Sequence, residues 1–181
     1  PDGQAAVWND HLIDPSVCAA GAGGLSEFPT PSYQQALPGE LLLSSRGLPD
    51  VSALAGAPGY LNLSSNGTWF GNGGTSLASP LYAAAFASIR SRLVAEGLTP
   101  PVLLNDAIYA IAADPTLYEL VFRDVKHRSN RIYDSVDCCD AGTGYDMASG
   151  LGEIRIDAMA GALVVAARPT TPTTSPISPA T

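Results

Sequence analysis

Apolar side chains recur every four residues at Leu81, Ala85, Ile89 and Leu93, the spacing of one helical face, and predict a helix over 76–97. Pro80 falls in its first turn, where the ring is tolerated, and Gly97 is a suitable stop. Helical patterns return over 103–112 and 156–167. In the last of these, Ile156, Met159, Ala160, Leu163 and Val164 leave almost no polar face, which predicts packing on two sides. Residues 59–71 read instead as a β-hairpin, because Asn66-Gly67 supplies the positive φ angles of a tight turn. Residues 14–40 are rich in Gly, Pro, Ser and Ala and predict loops around short strands. The stretch 120–152 is long, irregular and full of Asp and Gly; such a segment is expected to be functional or braced by a metal. Strands that lead into helices through glycine junctions predict an α/β layered domain.

Composition sharpens this picture. With 181 residues and 46% hydrophobic content the chain can bury a core, but only 14% of it is charged. That shortfall predicts a surface partly covered by other protein. The net charge is −8 and Lys126 is the single lysine, so phosphate backbones are not attracted and nucleic acid is excluded as a partner. The same balance fits an acid milieu. No run of 18 apolar residues and no signal peptide is present, so no membrane span is expected, and a start at Pro1 reads as a processed or truncated piece. Residues 1–168 are expected to form the folded part, and the Pro/Thr/Ser-rich stretch 169–181 a disordered tail. Of the three cysteines, adjacent Cys138 and Cys139 would bridge only under strain, so Cys18 is the expected partner of one of them, with free thiols as the alternative.

Gly73-Gly74-Thr75-Ser76 lies between the hairpin and the long helix. The glycines let backbone approach a substrate closely, and Ser76 falls at a helix N-terminus, where free N–H groups and the helix dipole favour developing negative charge. An acyl-transfer nucleophile benefits from that position. A plain N-cap at Thr75 or Ser76 is the simpler alternative.

The longer string Gly74-Thr75-Ser76-Leu77-Ala78-Ser79-Pro80 resembles the nucleophile motif of subtilisin-like enzymes and of the sedolisins. The residue after the proline is Leu81, where subtilisins typically carry histidine. Arg46-Gly47-Leu48-Pro49-Asp50-Val51-Ser52-Ala53 resembles a sedolisin block, as do Val7-Trp8-Asn9-Asp10, Gly23-Gly24-Leu25-Ser26, Phe28-Pro29 and Pro31-Ser32-Tyr33-Gln34. The resemblance covers about residues 5 to 165. It implies the C-terminal part of the catalytic domain of a serine-carboxyl peptidase, with a subtilisin-like layered α/β fold and a mostly parallel sheet.

A hard divalent cation such as Ca²⁺ needs six to eight oxygen ligands. Asp124 and Asp146 could balance its charge, and Gly142 and Gly144 could turn carbonyls inward. Asp124-Val125, then Gly142-Thr143-Gly144-Tyr145-Asp146 and Ser149-Gly150-Leu151-Gly152, resemble the sedolisin calcium site, with Ser149 in place of the usual threonine. The resemblance implies as ligands the carboxylates of Asp124 and Asp146 and the carbonyls of Val125, Gly142 and Gly144. Asp134, Asp137 and Asp140 are expected to be solvated, or else to support the metal from further out.

A serine hydroxyl needs a base. His11 and His127 are the two histidines, and both read as surface residues. Resemblance implies instead a Glu-Asp pair as base and a further Asp in the oxyanion hole, all earlier in the chain than Val7-Trp8-Asn9-Asp10 and so ahead of Pro1. Asp50, Glu27 and Glu40 are not expected to replace them. The expected partners are a polypeptide substrate and the N-terminal half of the same domain, and the expected location is extracellular. Two alternatives remain open: a non-catalytic calcium-binding remnant, and a subtilisin-type peptidase with a histidine base. Asn62-Leu63-Ser64 and Asn66-Gly67-Thr68 are formal glycosylation sequons.

Overall fold

The computed structural model describes residues 5–35, 37, 43–56, 59–64, 66–133 and 138–168. The proposed tail at 169–181, Glu40, Asp134 and Asp137 lie outside the described residues.

A 3₁₀ turn at Asp10–Leu12 is followed by β1 (Gly24–Leu25), α1 (Ser32–Gln35) and β2 (Gly47–Leu48). The hairpin β3 (Tyr60–Leu63) and β4 (Trp69–Asn72) leads into the long helix α2 (Thr75–Ala95). Then come α3 (Leu104–Ala112), α4 (Pro115–Val121), β5 (Phe122–Arg123), β6 (Glu153–Ile154) and α5 (Ile156–Ala167). The three expected helices and the hairpin are all present. In the hairpin turn Gly67 takes φ +83° and the Thr68 N–H is held by the Asn66 side chain.

Helix boundaries follow local chemistry. Gly97 sits at φ +72°, its N–H bonds the Val94 carbonyl and the Leu98 N–H bonds the Leu93 carbonyl, which is the Schellman stop that the glycine predicts. Helix α4 was not foreseen, although Asp114-Pro115 carries its start signal. The Asp114 carboxylate accepts from the Thr116 and Leu117 N–H groups, and Pro115 occupies the first helical position.

The main core gathers Ile89 and Leu93 of α2, Ile108, Tyr109, Ile111 and Ala112 of α3, and Val121, Phe122 and Ile154 of the α4–β5–β6 unit against Met159, Leu163 and Val164 of α5. Two expectations of burial are corrected. Leu81, at the head of the apolar stripe on α2, is 49% exposed; the buried positions of that helix are Ile89 and Leu93, near its C-terminal end. Helix α5 is packed on one side, not two: Val165 is 70% exposed, and no described element covers it.

The expected mostly parallel sheet is not seen among the described residues. The strands form three separate antiparallel pairs, β1–β2, β3–β4 and β5–β6. The only parallel contact among the described residues is a single bridge between Ser52 and Glu153. A parallel ladder needs successive paired residues along a neighbouring strand, and the described residues supply one bridge.

The cysteines also differ from expectation. Cys138 and Cys139 are bonded to each other, and Cys18 is free and exposed. Cys139 is buried with Val7, Val125 and Ala148, while Cys18 points to solvent in a loop, so the expected bridge has no route.

Leu93 is 1% exposed and Val94 60%. Leu93→Ala should therefore lower unfolding free energy by about 2–5 kcal/mol in urea titration, and Val94→Ala by less than about 0.5 kcal/mol.

Candidate active site and metal loop

Strand β4 delivers the chain into the turn that carries Ser76. Gly74 adopts φ 100°, ψ 157°, a conformation that disfavours any residue with a Cβ. Its carbonyl accepts from Leu77 N at 3.0 Å and Ala78 N at 3.5 Å, which makes Gly74 the N-cap. No side chain caps this helix, so the simpler reading of Thr75 or Ser76 as a capping residue does not hold. Ser76 is exposed, and its hydroxyl is not engaged by any described residue. The turn is anchored from behind: the Gly74 N–H donates to the Ala55 carbonyl at 2.6 Å.

A cavity of about 1030 Å³ opens beside the turn. Thr75, Ala78, Ser79 and Tyr82 of α2 form one wall, and residues 49–56 form another. Ser76 itself does not line the cavity, although its helix neighbours Thr75, Ala78 and Ser79 do.

No base approaches Ser76 among the described residues. The half-buried His11 ring sits 3.2 Å from the Val17 carbonyl, and His127, which is exposed, receives the Val7 N–H on its own carbonyl. Glu27 is exposed. Asp50 is committed elsewhere: one oxygen pairs with Arg46 at 2.7 Å and the other accepts from the Tyr109 hydroxyl at 2.9 Å. Burial holds the Tyr109 phenol far above its ordinary pKa, so it remains a donor. Gln34 completes this network, donating to Tyr109 and to the Gly47 carbonyl and accepting from the Gly47 N–H. Sequence reading missed it, although Arg46, Asp50, Tyr33 and Gln34 all lie within the family-like blocks.

The predicted metal residues do meet. Asp124 Oδ2 accepts from the Gly144 N–H at 2.8 Å and faces Lys126 Nζ at 3.3 Å. Asp146 Oδ2 accepts from the Gly142 N–H at 2.8 Å. Its Oδ1 accepts from the N–H groups of Ala148 and Ser149 and from the Ser149 hydroxyl. That hydroxyl also reaches the Val125 carbonyl at 3.5 Å. Asp124, Val125, Gly142, Gly144 and Asp146 thus belong to one cluster. Asp124 Oδ1 is buried with no hydrogen-bond partner among the described residues, a costly arrangement that a cation would relieve. Among the described residues no three His, Cys, Asp or Glu side chains converge, so the two carboxylates would need carbonyl oxygens to complete a ligand set. The donor chemistry fits a hard cation. Asp140 pairs with Arg131 on the surface.

The loop that follows grips the segment leading to the cavity. Leu151 N donates to the Asp50 carbonyl at 2.9 Å and Ser52 N to the Gly152 carbonyl at 3.0 Å. A Cβ at Gly150 would come within 2.4 Å of the Asp50 carbonyl oxygen, and one at Gly152 within 2.3 Å of the Arg123 carbonyl oxygen.

No protein-family model matches the chain. It is 36% identical over 160 residues to kumamolisin of a Bacillus species, an alignment covering 82% of this chain and 26% of that protein. It is 32% identical over 158 residues to physarolisin of Physarum polycephalum, covering 76% and 26%. A tripeptidyl-peptidase of Aspergillus fumigatus is 31% identical, covering 82% and 27%. Among solved structures, Pseudomonas sedolisin, a serine-carboxyl proteinase complexed with two molecules of pseudo-iodotyrostatin, superposes with a TM-score of 0.70 at 30% identity. That match covers 88% of this chain and 40% of the other. The chain therefore spans about a quarter of the length of the curated relatives it matches.

Asp146 holds its loop through four donors, two of them buried backbone amides. Asp146→Ala, unfolded in urea with chelator present, should lose roughly 2–4 kcal/mol of stability through those unsatisfied amides. A loss below about 1 kcal/mol would mean the loop does not depend on the carboxylate.

Proposed function

Because the chain belongs to the sedolisin family over about four fifths of its length, we propose that it is the C-terminal part of the catalytic domain of an acid-acting serine endopeptidase. The observation that carries this reading is the Ser76 turn: an exposed, unengaged hydroxyl at the open end of a helix, beside a cleft. Ser76 Oγ would attack the substrate carbonyl carbon while its proton passes to a carboxylate base. Collapse of the tetrahedral adduct would expel the amine, which takes that proton, and leave an acyl-Ser76 ester that water then hydrolyses. The free N–H groups of the first turn of α2 favour the developing oxyanion.

The base and the oxyanion carboxylic acid belong to the N-terminal half of the domain, the natural partner of this chain; the substrate is polypeptide. That division is supported by the engagement of Asp50 and by the absence of any acid or imidazole at Ser76 among the described residues. A carboxylate base, with a reference pKa of about 4.3, must be ionised, and a carboxylic acid that donates to the oxyanion must be protonated. Both conditions are met together in acid. We place its site of action outside the cell, an acid milieu being compatible with that; no described helix is long and apolar enough to cross a membrane. In the assembled domain, residues 51–55 would lie within the layered parallel sheet that the described chain alone does not form.

Calcium would be held by the carboxylates of Asp124 and Asp146 with the carbonyls of Val125, Gly142 and Gly144. It would supply charge neutralisation and fix the loop that grips residues 50–52. The orphaned Asp124 Oδ1 supports this assignment. The lack of a base at Ser76 equally favours a second reading, a non-catalytic remnant that keeps fold and cation.

The chain alone should show no peptide hydrolysis at acid pH. Joined behind the preceding catalytic segment of Pseudomonas sedolisin, it should hydrolyse peptides in acid, and Ser76→Ala should lower kcat by about 10³-fold or more. No Ser76-dependent turnover from a folded chimera would favour the remnant. Calcium should raise the melting temperature of the chain alone, by an amount equivalent to about 2.7 kcal/mol at 100 times Kd. Asp124→Asn, which keeps an acceptor for Gly144 but loses the charge, should abolish most of that rise; equal melts in calcium and chelator would end the metal assignment.

A further inference from the structure

Asn-Gly occurs twice in the chain, at Asn66-Gly67 and at Asn72-Gly73. The pair is chemically labile. The backbone nitrogen after an asparagine can attack the side-chain amide carbon, and a glycine there sets no Cβ in the way. Folding decides which pair reacts, because it either holds the two groups together or holds them apart.

In the hairpin turn they are held apart. The Gly67 N–H donates to the Ser64 carbonyl at 3.0 Å. The Asn66 side-chain oxygen is turned forward and accepts from the Thr68 N–H at 3.1 Å and from the Ser64 hydroxyl. At Asn72 the opposite holds. Its side chain is folded over the peptide bond that follows it, and the Gly73 N–H donates to Asn72 Oδ1 at 2.9 Å. Only the oxygen of the amide can accept, so the contact also fixes which way the group faces. Cγ, bonded to that oxygen, is thereby brought to the same nitrogen. No backbone carbonyl among the described residues takes the Gly73 N–H instead. Asn72 is half-buried, and Gly71 before it is exposed, so solvent water is at hand.

We propose that Asn72-Gly73 is a site of spontaneous deamidation through a cyclic imide, and that the reaction displaces the turn carrying Ser76. Gly73 N gives its proton to hydroxide and attacks Asn72 Cγ. The new C–N bond closes a five-membered ring, the Cγ–Nδ2 bond breaks, and the nitrogen leaves as ammonia with a proton from water. Water then opens the imide at either carbonyl and leaves aspartate or isoaspartate. Both products carry a carboxylate where a neutral amide stood. Isoaspartate also adds a methylene to the main chain. That insertion falls at the last rung of the hairpin, where Asn72 pairs with Tyr60. Two residues on, the Gly74 N–H is anchored to the Ala55 carbonyl at 2.6 Å, and Gly74 caps the helix of Ser76. A main chain lengthened at 72 cannot keep both the Tyr60 pairing and the Ala55 anchor in place.

Ageing the folded chain at mildly alkaline pH tests this, with conversion at each asparagine followed by peptide mapping, mass spectrometry and isoaspartyl methyltransferase labelling. Asn72 should convert about tenfold or more faster than Asn66. In urea, where neither side chain is held, the two should convert at similar rates. Similar rates in the folded chain, Asn66 ahead of Asn72, or no conversion at Asn72 would each overturn the proposal. A preference for Asn72 that persists in urea would trace to flanking sequence and overturn it as well. In the isolated isoaspartyl form the Gly74 amide should exchange hydrogen about tenfold or more faster than in fresh chain; an unchanged Gly74 amide would overturn the displacement of the turn. Asn72→Gln, whose longer side chain closes its ring far more slowly, should age without conversion at 72 and keep the Gly74 amide protected. Loss of that protection in aged Asn72→Gln would assign the change to another site and sink the idea. Asn66→Gln should leave conversion at Asn72 unchanged.

Discussion

Two hydrogen bonds tie the molecule together functionally: Leu151 N to the Asp50 carbonyl, and Ser52 N to the Gly152 carbonyl. They join the acidic loop at 142–152 to the segment at 50–55. That segment ends on Ala55, whose carbonyl receives the Gly74 amide behind Ser76. A continuous backbone path therefore runs from the carboxylates of Asp124 and Asp146 to the helix start. Gly150 and Gly152 make the grip possible, because main chain occupies the space where their side chains would stand. The Arg46–Asp50–Tyr109–Gln34 network fixes the same segment from the other side, with Tyr82 bonded to the Ser52 carbonyl between them. Loop order and the position of Ser76 are in this sense one variable.

Helix spacing and turn chemistry were readable in the chain itself. The stripe to Leu93, the Gly97 stop and the Asn66-Gly67 turn correspond to α2, its Schellman end and the β3–β4 hairpin. Asp124 and Asp146 were paired by their flanking motifs, and the structure brings their loops together. What failed was anything that depends on neighbours. Leu81 and Val165 are apolar at helical spacing yet exposed, because periodicity names a face without saying what covers it. The cysteine pairing failed for a related reason: spacing gives no account of where Cys18 points. Helix α4 was legible in its Asp114-Pro115 start signal.

The parallel sheet is the most instructive difference. A family-like sequence implied it, and among the described residues the strands form three separate antiparallel pairs instead. The segment at 51–55 contributes a single parallel bridge, from Ser52 to Glu153, and no ladder. Sequence resemblance speaks for a whole domain, whereas hydrogen bonds can be counted only in the part at hand.

The exposed apolar residues Trp69, Phe70, Leu54 and Leu81 carry a colloidal consequence. Near neutral pH the charge of −8 keeps copies of the chain apart. The isoelectric point is about 4.4, within the acid range where carboxylate chemistry would operate. There the long-range repulsion vanishes while the bare hydrophobic surface is unchanged, so solubility is expected to be poorest near that pH.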